Sequence, residues 1–282
     1  MDIFGKIKIT VMISKMELIE KPISVAIETT NFCNAKCCFC PNSTLKRKKD
    51  IMSQELFEKI IKDCVEIQPK YILPILNGEP FLDPDIVSRI KFINNKLPDS
   101  KVMLFTNANL MTPKISDQLL DLNIYMVTFS INAADEEKYS QRMKLNYKTT
   151  IDNINSFIKN NNVSHIKFSM IAQNTSPEEI EEFKKIWGKN TFIGKYTNFS
   201  GSMYNPNPLN NPCSRALKEM NILHNGDVSL CCMDMEGKMI FGNITHNHLL
   251  DIWNNEKMKK LRTVHLSNNR NKYPLCDNCN QP

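Results

Sequence analysis

The chain has 282 residues, of which 41% are hydrophobic, and it carries a formal net charge of +6. This length suits one large domain, or a domain of about 200 residues with a small appendage. Charged residues interrupt segment 1–21 too often for a signal peptide or a membrane span, so we expect a cytoplasmic protein with no membrane partner. The densest basic run, residues 46–49, contains no aromatic side chain, which argues against a nucleic-acid partner.

Short apolar runs typical of buried strands alternate with amphipathic stretches typical of helices. The predicted strands cover residues 25–27, 71–76, 102–105, 125–131 and 166–171. The predicted helices cover residues 54–66, 85–96, 114–122, 147–159 and 178–186. Thr112 and Ser176, each followed by a proline, are predicted to cap two of these helices, with Glu179 completing a capping box. This alternation predicts an α/β fold with a parallel sheet, either doubly wound or barrel-like.

The composition changes near residue 200. Segment 200–213, SGSMYNPNPLNNPC, is rich in Asn, Pro and Ser and is typical of a linker. Two short runs around Asn225-Gly226 predict a β-hairpin, because this dipeptide accepts the positive φ angles of a tight turn. A last helix is predicted over residues 249–261.

Ten cysteines stand in the chain, and in a reducing compartment this density indicates metal binding or catalysis rather than disulfides. Cys33, Cys37 and Cys40 form a C-x3-C-x2-C pattern directly after the first predicted strand. Three thiolates on one loop can hold three irons of a cubane cluster and leave the fourth iron open for a substrate or cofactor. A structural zinc site would need a fourth Cys or His nearby, and none follows at the usual spacing. Cys38 is expected to be packed or idle.

The remaining metal-ligand types are expected to be structural. Cys64, on a predicted helix, is expected to be a small buried hydrophobic residue. Surface or capping roles are expected for the histidines of the C-terminal third, which are His224, His246, His248 and His265.

The cysteine loop resembles the hallmark of the radical S-adenosylmethionine (SAM) enzymes, a C-x3-C-x-aromatic-C motif with Phe39 as its aromatic residue. Segment 77–80, NGEP, is similar to the family's Gly-Gly-Glu motif, with Asn77 in place of the first glycine. The resemblance implies that this segment meets the amino group of SAM, and that polar groups after the third and fourth strands meet its ribose and carboxylate. The cofactor-binding residues implied in this way are Phe39, Gly78, Glu79, Pro80, Asn107, Ser130 and Asn132. These segments follow strands at their carboxyl ends, where a β/α barrel builds its active site.

A second group of cysteines lies in the last third of the chain and consists of Cys213, Cys231 or Cys232, Cys276 and Cys279. Four thiolates can close the coordination of either zinc or a second iron–sulfur cluster. The hairpin between the first two thiols, the helix opening LLDIW and the terminal C-x2-C pair resemble the twitch domain, the short form of the SPASM extension. That domain holds one auxiliary [4Fe-4S] cluster, and the resemblance therefore implies two [4Fe-4S] clusters, with Cys231 as the preferred ligand of the second.

Taken with the resemblance, the predicted elements indicate a partial (β/α)6 TIM-like barrel with a small C-terminal α+β iron–sulfur domain. The barrel is expected over residues 24–205, after an N-terminal extension over residues 1–23. The auxiliary cluster domain is expected over residues 206–282.

The resemblance implies reductive cleavage of SAM to a 5'-deoxyadenosyl radical that abstracts a substrate hydrogen, with electrons from a flavodoxin- or ferredoxin-type reductant. The expected net reaction is a two-electron oxidation of a small polyol or amino sugar, in which Arg142 matches the position of a proton acceptor or substrate-binding group. Modification of a ribosomal peptide is the alternative, and in an epimerase Cys232 would donate the hydrogen atom. The 23 residues before the first strand are too few for a leader-binding domain, which favours a small substrate. A non-catalytic zinc-binding module is the remaining interpretation.

Overall fold

The structure, a computed structural model, describes residues 18–160, 163–204 and 208–281. Residues 1–17 of the predicted N-terminal extension lie outside the described residues, as do residues 205–207 at the predicted domain boundary. None of the helices in the described part of the chain is both long enough and apolar enough to cross a membrane.

One nine-stranded sheet runs through the described chain, in the order β6-β5-β4-β3-β2-β1-β7-β8-β9. Every pair from β6 to β7 in this order is parallel, and the pairs of β8 with β7 and with β9 are antiparallel. The strands are β1 (Ser24–Ile27), β2 (Tyr71–Leu73), β3 (Lys101–Thr106), β4 (Ile124–Ser130), β5 (His165–Ala172), β6 (Thr191–Lys195), β7 (Glu219–Ile222), β8 (Asp227–Ser229) and β9 (Ile240–Asn243). The predicted α/β class with six parallel barrel strands is confirmed.

Helices cover the outer face of the sheet because the outward side chains of the strands are apolar. In β1, Val25 and Ile27 are fully buried in the core, whereas Ser24 and Ala26 point to the opposite face and line a cavity inside the barrel. The helices are α1 (Gln54–Ile67), α2 (Ile86–Lys96), α3 (Pro113–Leu119), α4 (Glu136–Met143), α5 (Tyr147–Asn160), α6 (Pro177–Trp187), α7 (Ser214–Lys218), α8 (Leu249–Trp253), α9 (Glu256–Leu266) and α10 (Pro274–Asp277).

The predicted helix caps are present. The Thr112 hydroxyl accepts from the Ile115 N–H at the start of α3, and the Ser176 hydroxyl accepts from the Glu179 N–H at the start of α6. The capping box forms only this Ser176 half, because the Glu179 carboxylate is bound by Arg142 instead.

The C-terminal region continues the barrel sheet. Strand β7 pairs in parallel with β1, so that Val25 lies opposite Met220. The predicted hairpin is confirmed between β7 and β8, where Gly226 adopts a φ of 88° that favours glycine. The prediction of a single helix over residues 249–261 is wrong. The first helix, α8, ends at Trp253, and the Asn255 side chain caps a second helix, α9, by accepting from the Met258 N–H. Asparagine favours such a cap over a helix interior because its side chain competes for backbone hydrogen bonds.

Candidate active site

The cysteine loop follows β1 and is anchored at both ends by one asparagine. Asn31 donates to the Lys48 carbonyl at 2.9 Å and accepts from the Asp50 N–H at 2.8 Å. In its middle, the loop rests on the end of α4, where the Cys38 N–H donates to the Arg142 carbonyl at 3.0 Å. These contacts hold the loop at the carboxyl end of the parallel strands, as predicted.

Cys33, Cys37 and Cys40 are free thiols, each half-buried on the loop. Burial raises the pKa of Cys33 to about 12, and burial together with the neighbouring thiols Cys40 and Cys33 raises the pKa of Cys37 further. A cation beside these thiols would favour their thiolate forms, and the irons of a cluster would supply that charge. Among the described residues no three Cys, His, Asp or Glu side chains are grouped to hold a single metal ion, whereas a cubane binds each thiolate through a separate iron.

The Cys38 side chain points in a different direction from that of Cys37. It is exposed, and its Sγ lies 3.9 Å from the Gln173 amide oxygen. Cys37 instead contacts the Met143 sulfur at 3.4 Å. Phe39, the aromatic residue of the motif, is buried in the core beneath the loop.

Segment 77–80 packs directly on the backbone of the cysteine loop. The Glu79 N–H donates to the Phe32 carbonyl at 2.8 Å. Gly78 approaches so closely that an added Cβ would collide with the carbonyl oxygens of Thr30 and Phe32, the second at 2.7 Å. Pro80 then begins a short 3-10 turn. The glycine is therefore required by a close approach of two backbones.

Glu79 is 2% exposed, and its carboxylate forms hydrogen bonds within the protein. Its carboxylate accepts from the Thr106 hydroxyl at 2.6 Å and from the Asn107 N–H at 2.8 Å, which joins segment 77–80 to the end of β3. Burial raises the pKa of Glu79 to about 7 against the opposing effect of these hydrogen bonds. A nearby ammonium group would favour the ionised form, since opposite charges stabilise each other in a desolvated site.

The polar residues after β3 and β4 are held in defined conformations. The Asn107 amide donates to the Asn34 side chain of the cysteine loop at 2.8 Å. Asn132 adopts a φ of 62°, and its side-chain oxygen accepts from the Ile171 N–H at 2.9 Å. Ser130 is the half-buried last residue of β4. The carboxyl ends of β1 to β4 therefore bring every predicted cofactor-binding segment to one edge of the sheet.

Arg142 lies in the last turn of α4 and is held by a carboxylate that sequence reasoning did not connect with it. Its guanidinium donates to both oxygens of Glu179, at 2.6 and 3.0 Å, and to the Asn132 carbonyl at 3.0 Å. A guanidinium paired in this bidentate way stays protonated. The geometry therefore suits Arg142 to positioning the cysteine loop and Asn132, and does not suit it to accepting a proton.

A second network, also missed from the sequence, surrounds Glu28 at the end of β1. This carboxylate is fully buried and binds the Arg47 guanidinium, the Asn77 amide at 3.0 Å and the His224 N–H at 3.1 Å. Burial alone would raise the pKa of Glu28, but the hydrogen bonds from His224 and Arg47 outweigh it and lower that pKa. Arg47 of the basic run is thus a structural residue. The signal in the sequence that could have indicated this network is an acidic residue directly after a buried strand.

The four cysteines of the second group line one cavity. Cys213, Cys231, Cys276 and Cys279 are each at least nine-tenths buried, and His265 and Arg270 line the same cavity. We call it the four-thiol cavity. Arg270 donates to the Cys276 carbonyl at 3.3 Å and to the Cys279 carbonyl at 2.7 Å, which fixes the C-x2-C turn. Burial raises the pKa of the Cys213 and Cys276 thiols. Four desolvated thiols suit a closed cluster, with no position left for substrate.

The structure separates Cys231 from Cys232. Cys231 lines the four-thiol cavity, whereas Cys232 lines the cavity inside the barrel. Met233 lines both. We call the second space the barrel cavity; it is also lined by Ala26, Met103, Phe105, Arg215, Glu219 and Asn221.

Asn221 is the most conspicuous polar group in the barrel cavity. It is 1% exposed, and among the described residues neither atom of its amide has a hydrogen-bond partner. Ser229 lies directly opposite on β8, and its buried hydroxyl is also without a partner within the described chain. Buried polar groups are normally paired, so this face of the hairpin indicates a place for a polar ligand.

The histidine predictions have mixed outcomes. His246 is exposed, and His248 caps α8 by accepting from the Leu250 N–H at 3.1 Å, as predicted. His265, however, is fully buried beside the cysteines, so its predicted surface or capping role is wrong. Cys64 is fully buried in the core, as predicted.

Two family profiles match the segments of the chain that contain these residues. The Radical SAM superfamily profile matches residues 27–186, more than half of the chain, and the chain belongs to this superfamily. The profile of SPASM, an iron–sulfur cluster-binding domain, matches residues 213–280. The chain is therefore an enzyme of the radical SAM class, whose cofactors are SAM and a [4Fe-4S] cluster, with further iron–sulfur binding in the SPASM domain.

Individual relatives span most of the chain. The S-adenosyl-L-methionine-dependent 2-deoxy-scyllo-inosamine dehydrogenase of Niallia circulans is 24% identical over 260 residues, which cover 91% of this chain and 92% of that protein. BtrN in complex with AdoMet and 2-DOIA superposes with a TM-score of 0.70 at 20% identity, covering 94% of this chain and 95% of that one. Streptococcus suis SuiB bound to precursor peptide SuiA superposes with a TM-score of 0.73 at 16% identity, covering 87% and 68%. At these identities the structural likenesses show the fold.

The close approach at Gly78 generates a first prediction. Gly78→Ala is expected to destabilise the protein by about 1–3 kcal/mol, because the new methyl group meets carbonyl oxygens that move only with the cysteine loop. The variant should melt at a lower temperature and hold less iron than the wild type after anaerobic reconstitution.

The matched control for this prediction is Gly194→Ala. Its Cβ would meet first the terminal methyl of Ile171 at 2.9 Å, which can rotate away. We expect wild-type iron content in that control. Wild-type melting and iron content in Gly78→Ala would contradict the role assigned to Gly78.

Proposed function

We propose that the chain oxidises a small polyol or amino-sugar-like substrate by two electrons. When bound, SAM and the cluster at Cys33, Cys37 and Cys40 supply the 5'-deoxyadenosyl radical that takes one hydrogen atom from the substrate. Cys213, Cys231, Cys276 and Cys279 would hold a second [4Fe-4S] cluster, whose chemistry when bound would be to serve as acceptor for the second electron. The hydroxyl proton of the substrate passes to solvent water in the same step, so that an alcohol carbon becomes a carbonyl.

The observation that carries this proposal is the division between Cys231 and Cys232. Consecutive residues face the four-thiol cavity and the barrel cavity, and Met233 lines both. An electron acceptor in the four-thiol cavity would therefore adjoin a substrate in the barrel cavity, separated by one stretch of chain. The Niallia circulans relative, which is named as a dehydrogenase and is aligned over nine-tenths of both chains, supports the same reaction type.

The residues proposed to bind SAM are those at the carboxyl edge of the strands. Phe39, Gly78 and Pro80 shape the surface beside the cysteine loop, and Glu79 supplies the negative charge that suits the SAM ammonium group. Asn107, Ser130 and Asn132 supply neutral polar groups for the ribose and carboxylate. Arg142 holds Asn132 and the loop in place through its pair with Glu179.

The chemistry of the barrel cavity supports a small substrate that carries hydroxyl groups. Its walls are apolar at Met103 and Phe105, and the amide of Asn221 offers one donor pair and one acceptor. A hydroxyl group satisfies either end of an amide, so a polyol ring fits this face of the hairpin. Arg215 and Glu219 line the same cavity with opposite charges, so they add no net charge to it.

A second candidate function rests on Cys232. Its thiol faces the barrel cavity, and burial raises its pKa to about 12, which keeps it protonated. A protonated thiol beside a substrate radical can return a hydrogen atom, as an epimerase of a peptide or small molecule requires. This candidate differs from oxidation in its product mass.

The two cysteine groups are expected to bind their iron independently of each other. Replacing Cys33, Cys37 and Cys40 together by Ala should abolish reductive cleavage of SAM and lower iron from about eight to about four atoms per chain. Iron analysis and 5'-deoxyadenosine detection in anaerobic protein check this. Cys38→Ala, an exposed cysteine in the same loop, is the control and should keep both. SAM cleavage at the wild-type rate in the triple variant would show that the wrong loop was assigned.

Removal of the second group should separate radical formation from oxidation. In the Cys276→Ala, Cys279→Ala double variant we expect 5'-deoxyadenosine to form while oxidised product disappears, because the second electron has no acceptor. Cys64→Ala, at a buried cysteine that belongs to neither group, is the control. In the wild type, mass spectrometry should find a product lighter by two hydrogens. A product of unchanged mass in ordinary water that gains one deuterium in heavy water would instead establish epimerisation and point to Cys232.

The barrel cavity is tested with 2-deoxy-scyllo-inosamine, the compound named in the relative, as probe. Asn221→Ala should raise the KM for this probe about tenfold, the effect of one lost hydrogen bond to a buried group. Asn123→Ala, at an exposed asparagine whose backbone groups bond the Asn94 side chain, is the control and should leave the KM unchanged. Equal KM values for wild type and Asn221→Ala would remove the cavity from substrate binding. No conversion of the probe by the wild type would favour the second candidate function.

A further inference from the structure

His265 is placed where neither the cysteine spacing nor the sequence resemblance assigns a function. It lies near the end of α9, is fully buried, and lines the four-thiol cavity together with Cys213, Cys231, Cys276 and Cys279. The side chain therefore belongs to the wall around whatever the four thiols hold.

One hydrogen bond decides which ring nitrogen of His265 carries the proton. The Cys213 backbone N–H donates to Nδ1 at 3.3 Å. A backbone N–H only donates, so Nδ1 must present its lone pair, and a neutral imidazole then carries its hydrogen on Nε2. This excludes the doubly protonated ring and leaves one donor, Nε2–H, on the far side of the imidazole.

That donor has no protein partner. Nε2 is buried, and nothing in the described part of the chain accepts from it. Leaving a buried N–H unpaired costs about 1–3 kcal/mol, so such groups normally have a partner. The neighbouring Arg270, by contrast, donates hydrogen bonds to backbone carbonyls, among them those of Asn211, Cys279 and Gln281.

We propose that His265 Nε2–H donates a hydrogen bond to a sulfur atom of the cluster in the four-thiol cavity and raises the reduction potential of that cluster. Reduction adds negative charge to the cluster, and an N–H donor stabilises the reduced form more than the oxidised form. His265 is thus a positioning and tuning residue and not a ligand, since ligation through Nε2 would require loss of its hydrogen. The inference rests on the proposed cluster assignment of the four cysteines.

The proposed hydrogen bond from His265 would make the second cluster a better electron acceptor. A substrate radical can pass its electron to the second cluster only if the potential of that cluster is high enough. A hydrogen bond from His265 shifts the equilibrium toward reduction, and it does so from the α9 side of the cavity without occupying the barrel cavity. The same ring holds the Cys213 backbone through Nδ1.

Two substitutions separate the two ends of the ring. In His265→Asn the side-chain oxygen can still accept from the Cys213 N–H, because the Asn amide overlays Nδ1, but the donor at the Nε2 position is lost. In His265→Gln the amide overlays Nε2 and keeps a donor toward the cavity, while the contact with Cys213 is lost. His246→Asn, at an exposed histidine, is the control.

The measurement is a redox titration followed by electron paramagnetic resonance. The full chain carrying Ala at Cys33, Cys37 and Cys40 is used, so that only the second cluster contributes. We expect His265→Asn to lower the equilibrium constant for reduction about tenfold, which is a fall of about 59 mV for one electron. His265→Gln and His246→Asn should stay nearer the unsubstituted value. An unshifted potential in His265→Asn at full iron content would overturn the inference.

A measurement without substitution at His265 keeps the test decisive if His265→Asn fails to hold iron. Protein labelled with ¹⁵N-histidine should show a nitrogen coupling and one exchangeable proton coupling in pulsed resonance spectra of the reduced second cluster. Absence of both couplings would overturn the inference while the cluster assignment stands. Absence of iron from the Cys33, Cys37 and Cys40 variant would instead refute the cluster assignment, and the inference with it.

Discussion

A buried carboxylate at the end of β1 is the constraint on which the arrangement of the sites depends. Glu28 has no exposed surface, and an unpaired charge in such a position costs several kcal/mol. Its partners come from the tail of the cysteine loop, from segment 77–80 and from the hairpin, through Arg47, Asn77 and His224. Because all three must converge on Glu28, satisfying its charge also sets the cysteine loop against the SPASM domain.

The fold was predictable where a strand or helix carries its own pattern. Buried parallel strands show continuous apolar runs, and the five predicted strands all appear with ends shifted by a few residues. Strand β6, TFIGK, was missed because it is short and contains Gly194, and its pairing with β5 comes from the sheet. Helix α4 was missed because its eight residues bury only Tyr139 and Met143. Such elements are stabilised by their surroundings rather than by local sequence.

The candidate site likewise has one part that was predicted from the sequence and one part that was not. Cysteine spacing is local, so both thiol groups were found from the sequence, and the structure places each group on one loop or around one cavity. The side chains that position them were not found, because Glu179 meets Arg142 across 37 residues and His265 meets Cys213 across 52. A tertiary pair of this kind leaves no periodic or spaced signal in a single sequence.

The dipeptide Cys231-Cys232 shows how one local choice links the two parts of the protein. In the segment that follows β8, the two consecutive side chains line different cavities, so one thiol lines the four-thiol cavity and the next lines the barrel cavity. Spacing alone could not choose between them, since either thiol stands at a plausible distance along the chain from Cys213 and Cys276. The choice follows from the pairing of β7 with β1 and β8, which turns Asn221 toward the barrel cavity and so fixes the position from which the dipeptide leaves the sheet. The parallel β1–β7 pair therefore bears both on where the four-thiol cavity forms and on which thiol faces the barrel cavity.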